Sequence, residues 1–198
     1  MAAWAVTAAI CVAAAPVSRA AGRNTVPFTR FVAMAPIDGD PGSPARVDII
    51  IDHWSPDAEL ENLRAAFRNS GPGGLLSLLK GIGRPAGVLL IPGVPGSGAR
   101  ARLRHPINVY FAREVETAGG RQVVLATDRY LAFGQVTLNW PSNFEFSLLD
   151  IRFAADGAGV GKVATADKLA VNARTGAIEL ANYDAQPARL IDVRLQAR

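Results

Sequence analysis

The sequence predicts a mainly β domain of the α+β kind, an antiparallel meander of about nine strands closing as a sandwich or a barrel. A helical hairpin over about 55–81 packs on it. Three observations predict this. Residues 47–52, 121–127 and 144–153 are rich in β-branched and aromatic side chains, and the first of them alternates apolar and acidic positions over most of its length, the signature of a strand. Short Gly, Pro and Asp clusters separate these runs, so most strands join sequential neighbours, which favours antiparallel pairing. Only one segment, Ser55 to Gly81, carries helical spacing.

Taken in order, Phe28 to Ala35 is a short strand, and the Pro/Gly/Asp composition of 36–44 predicts a loop after it. In "VDIIIDHWSPDAEL" the chain turns from strand to helix within a few residues. Val47, Ile49 and Ile51 share one face, while Asp48 and Asp52 fall on the other. Ser55 is placed as the N-cap and Pro56 as the first helical residue, where its missing N–H leaves nothing unpaired. Asp57 and Glu59 suit the positive end of the helix dipole. Leu60, Leu63 and Phe67 form the apolar stripe. "SGPGG" breaks the helix near residue 70, and Leu75 to Leu79 form a shorter one. From Pro85 onward the pattern is strands: "AGVLLIP", an extended stretch from Ala99 to Phe111 or Thr117, a hairpin turn at 118–120, "RQVVLATDR" and "YLAFGQVTLNW". "FEFSLLDIRF" is followed by a glycine turn at 155–161, then "KVATADKLAVN", "GAIELANY" and "ARLIDVRL". No period of 20–50 residues repeats, which excludes a solenoid or propeller pattern.

The first twenty residues carry one charged side chain, Arg19. The apolar run from Ala2 to Ala15 is shorter than the roughly 20 residues a membrane span needs. With Ser18 and Ala20 as the small residues of a cleavage site, it reads as a secretory signal. Residues 1–20 are thus expected to be a signal peptide, 21–44 an N-terminal strand and loop, and 45–198 one β-rich domain. The expected location is periplasmic or extracellular, with no transmembrane segment in the mature chain. Cys11 would leave with the signal, so the mature chain has no disulfide or thiolate metal site. Removing Arg19 turns 21 basic side chains into 20 against 17 acidic ones, a net +3. That excess is dispersed along the chain, unlike the concentrated basic face of a nucleic-acid binder, so no nucleic acid is expected.

Candidate functional residues fall in three places. At the strand-to-helix seam, His53 with Asp52 or Asp57 offers a base or ligand and Trp54 a stacking surface. The simpler reading is a corner, with Trp54 packing on the first helical turn as a hydrophobic staple. In "FEFSLLDIRF" the apolar character changes face partway along. Either a bulge swaps the sides, or both faces are buried and Asp150 and Arg152 pair inside or at the rim of a cavity. Asp128 with Arg129, and Asp192 with Arg194, are candidate cross-strand partners. In "GARARLRHP", an extended chain points Arg100, Arg102 and Arg104 to one side. They form either a charge-protected edge or a site for an anionic ligand or surface. There is no G-x-S-x-G elbow, no H-E-x-x-H and no EF-hand loop, so neither a metal nor a cofactor is expected.

Through "IDHWSPDAEL", "VVLATDR", "FSLLDIRFAADGAGVGK" and "IELANYDAQPARL" the chain resembles a group of uncharacterised exported bacterial proteins with no established activity. The resemblance covers most of 45–195. It implies one exported domain and carries over no site residue. The expected function is therefore an exported, non-catalytic binding or structural domain. The alternative is a small secreted hydrolase or isomerase using Asp128 or Asp150 in a β cavity, since such chemistry needs only an acid and a base.

Overall fold

The computed structural model describes residues 28–37, 40–92, 104–117, 120–131, 146–164, 168–173, 178–185 and 188–196. Its strands are β1 (Thr29–Ile37), β2 (Asp40–Ile51), β3 (Gly87–Pro92), β4 (Arg104–Thr117), β5 (Gly120–Thr127), β6 (Ser147–Phe153) and β7 (Gly159–Ala164). Two short strands follow, β8 (Leu169–Val171) and β9 (Ile178–Leu180), and then β10 (Leu190–Leu195). One helix, α1 (Asp57–Gly81), joins β2 to β3. Eight strands form a closed antiparallel barrel in the order β1-β10-β7-β6-β5-β4-β3-β2. Seven of them run as a meander. The chain then leaves the wall to make the separate β8–β9 hairpin and returns as β10, which pairs with both β7 and β1 and closes the ring. Of the sandwich and the barrel, the barrel forms, with every one of the eight strands paired on both sides over part of its length.

Period-2 alternation decides the interior. Phe31, Val47, Ile49, Ile51, Leu89, Val109, Val123, Leu125, Leu149, Ile151 and Leu190 pack inside with 0–1 % exposure. A second core lies outside the barrel wall. There Leu60, Leu63, Leu75 and Leu79 of α1 meet Phe111, Val124, Ala126 and Leu148, and Ile178 and Leu180 of the small hairpin join them. β5 and β6 are therefore buried on both faces, which explains why "FEFSLLDIRF" reads apolar on either side. A break in β4–β5 pairing between Val109 and Phe111 turns Phe111 toward the outer core and returns Ala112 to the inner one.

Several local expectations change. The Pro/Gly stretch after β1 is extended, not loop, from Asp40 onward; pairing shifts register between Ala35 and Ile37, the kind of irregularity at which strand Pro is tolerated. The helical segment does break at "SGPGG", as the sequence predicts, and its two runs follow one another across the break as α1. Gly71, at φ 60°, interrupts it just before Pro72, and α1 resumes beyond. Ser55 is not the cap. Its N–H donates to Ala112 O (2.7 Å) and its Oγ accepts from Ala112 N (3.2 Å), so the hydroxyl pins the chain to β4 while Pro56 takes the cap position. "KVATADKLAVN" is divided between β7 and β8, and Gly159 and Gly161 belong to β7 rather than to the turn. The stretch "YLAFGQVTLNW" lies outside the described residues except for Tyr130 and Leu131. Among the described residues no helix is long and apolar enough to cross a membrane.

Candidate functional site

The two faces of β6 place its charged pair. Leu149, Ile151 and Phe153 point inward, so Asp150 and Arg152 point outward, under the β8–β9 hairpin and the 3₁₀ turn Tyr183–Ala185. Asp150 is fully buried there. It accepts hydrogen bonds from Gln122 Nε2 (2.9 Å) and Arg152 Nη2 (3.3 Å). The Arg152 guanidinium lies 3.9 Å from the Tyr183 ring centroid and 3.9 Å from Glu179 Oε2. Lys162 sits 4.3 Å over the same ring and donates to Tyr183 O (2.8 Å). Tyr183 in turn donates its hydroxyl to Val160 O (2.6 Å). The cluster thus ties the hairpin to the barrel wall. The pair predicted from the sequence exists, on the outer face of the barrel wall. Asp128 and Arg129 face each other at 3.5 Å, and Asp192 and Arg194 at 2.7 Å, so neither pair joins Asp150.

Burial raises the Asp150 carboxyl above the ordinary 3.8, against the opposing effects of Gln122 and Arg152. Burial also pushes the Tyr183 phenol up to about 12, with the Asp150 charge adding to it. Both are acids whose folded pKa exceeds the ordinary value. The folded protein therefore keeps a proton that the unfolded chain has released, and stability falls as pH rises through that interval. For Tyr183 the interval runs from 10 to about 12. Tyr183→Phe is expected to lose less stability than the parent across it. Urea unfolding at several pH values between 10 and 12 checks this, and equal slopes for the two proteins would refute it.

A second constellation occupies the barrel end where β4 and β5 turn. Inward-facing Arg121 lies 4.4 Å from the Phe153 ring centroid and 5.4 Å from that of Phe31, and it pairs with Glu114 at 3.1 Å. Trp54 packs on the inner core at this end. Beside it opens a cleft of about 410 Å³ lined by Trp54, Ser55, Arg113, Glu114 and Glu116. Arg113 is held by Asp57 at 2.7 Å. His53 is half-buried and its Nδ1 has no hydrogen-bond partner; its N–H and that of Asp52 both donate to Ala86 O, which fixes the corner. Trp54→Ala is expected to destabilise by about 2–4 kcal/mol, as for loss of a largely packed aromatic, and His53→Ala by much less. Denaturant unfolding of the two variants measures the difference.

Arg100 and Arg102 lie outside the described residues, and Arg104 opens β4 opposite Pro92. Among the described residues no three His, Cys, Asp or Glu side chains come together to hold a metal. Sequence reasoning missed Gln122, Lys162, Tyr183 and Glu179 around Asp150, and Arg113, Glu114 and Glu116 at the barrel end. The hairpin turn at 118–120 held a usable signal for the latter, because it sets Glu116 opposite Arg121. No match to this chain is found among protein-family models, curated proteins or solved structures.

Proposed function

We propose that this protein is an exported, non-catalytic binding or structural domain that meets its partners through its rims and outer faces. The observation that carries the reading is the filled interior. Phe31, Leu89, Leu125, Leu149, Ile151 and Leu190 occupy the barrel axis with no measurable exposure. Among the described residues the interior of this small eight-stranded barrel is filled by side chains, which favours binding on the outside over a chamber for a substrate. The most buried carboxylate of the β6 cluster is spent on holding the hairpin. Export is supported by the apolar N-terminal run and the small residues at Ser18 and Ala20. The partner is an anionic ligand or surface, docked on Arg100, Arg102 and Arg104.

Exposed attraction of this kind weakens with salt, since screening at 0.15 M acts over about 8 Å. Single Arg→Ala changes cost little, because exposed pairs are worth about 0–1 kcal/mol. The triple change to Ala is expected to abolish retention on anionic lipid vesicles while leaving the Tm nearly unchanged. Unchanged retention would remove the patch. A second reading, a hydrolase or isomerase, rests on Asp128, whose Oδ1 is buried without a hydrogen bond. Turnover of a substrate by the parent, abolished in a folded Asp128→Asn variant, would put that reading first.

A further inference from the structure

We infer that the cleft at the β4–β5 end of the barrel is a binding site for an organic cation, a primary or quaternary amine, held between the Trp54 indole and the carboxylates of Glu114 and Glu116. The inference rests on the binding-domain reading above and names a second ligand class for it, at the opposite end of the barrel from Arg104.

Trp54 packs on the inner core and also lines the cleft, so an aromatic residue held by packing forms part of the wall that an incoming group meets. Cations within about 6 Å of such a ring are attracted by its quadrupole, and indole is the strongest of the aromatic side chains in this respect. Charge around the cleft then decides between ligand classes. Arg113 is neutralised by Asp57 and Arg121 by Glu114. Glu116 stands opposite Arg121 in the β4–β5 ladder, but Arg121 pairs with Glu114 and no described side chain pairs with Glu116, which leaves one carboxylate uncompensated. The engaged oxygen of Glu114 is Oε1, so its second oxygen and both oxygens of Glu116 are acceptors available to a ligand. A site with spare acceptors, one surplus negative charge and an aromatic wall is complementary to an ammonium group. An anion would meet repulsion here, and a neutral polyol would leave the surplus charge unmatched. The volume, about 410 Å³, is that of a small-molecule cleft.

The test is a titration of the mature protein with n-butylamine, followed by the NMR signal of the Trp54 indole N–H, with n-butanol and a neutral disaccharide as controls. A saturable shift with the amine is expected, weakened at least several-fold by raised salt and lost in Glu116→Gln. That position is exposed at the end of a strand, so the variant keeps the fold, which the unchanged remaining spectrum verifies. Absence of a saturable shift in the parent would overturn the inference. So would a shift that persists unchanged in Glu116→Gln, or one that the disaccharide produces as strongly as the amine, which would assign the cleft to a saccharide. The same samples separate this failure from failure of the broader reading. Chemical conversion of the amine would overturn the non-catalytic assignment, whereas a silent cleft leaves that assignment standing.

Discussion

Phe31→Ala is expected to lower stability by about 3–5 kcal/mol, the range for truncating a fully buried aromatic. Phe31 has no exposed surface, and its ring meets that of Phe153 at 5.6 Å. It sits on β1, whose two neighbours are β2 and the last strand, β10, so the side chain lies at the closure of the barrel. Its loss would open a cavity beneath the Arg121 guanidinium, which stacks on both rings. Neighbouring strands are joined on both sides and cannot collapse into the space, which places the cost toward the upper end. Denaturant unfolding measures it. A cost below about 1 kcal/mol would mean that the wall relaxes, and that the packing at this end is looser than the interior described above.

Arg152→Ala is expected to cost about 3–5 kcal/mol, because removing one partner of a buried pair leaves its carboxylate uncompensated. Asp150 is fully buried while the Arg152 side chain is 41 % exposed, so the lower end of that range applies. The variant also strips the Tyr183 ring of one of its two cations. The decisive comparison is the double variant. Asp150→Asn removes the stranded charge, so Arg152→Ala with Asp150→Asn should be more stable than Arg152→Ala alone. Without that rescue, the loss would come from the arginine's packing against Tyr183 and not from the charge of Asp150. Protease sensitivity between β7 and β10 gives a second measure, since the cluster holds this hairpin to the wall.

How far the site was legible follows from the range over which each signal acts. Asp150 and Arg152 stand out in the sequence because two charges interrupt an apolar strand, a local pattern. Tyr183, Lys162 and Gln122 do not stand out, because they reach Asp150 only through strand pairing and through the excursion that brings the β8–β9 hairpin back over β6. The cleft is intermediate. Trp54 is conspicuous at its corner, but Glu114 and Glu116 come beside it only once Ser55 pairs with Ala112.

The sequence by itself determined most strands of the wall and the single helical segment with its break at "SGPGG"; for β6 it left a bulge and burial on both faces as alternatives. These follow from periods of 2 and 3.6 residues and from backbone preferences of Gly and Pro, which act within a few residues. Only the tertiary structure decided that the meander closes, because closure depends on the tilt and register of all eight strands together. It also decided which strand face is inside, and hence that the Asp150 pair belongs to the outer wall. Gly159 shows the difference most plainly. In sequence it reads as part of a turn, yet it lies in β7, where a Cβ would come within 2.9 Å of the Phe153 ring. That glycine makes room for a side chain six residues away, brought opposite it by strand pairing, and no local pattern carries that requirement.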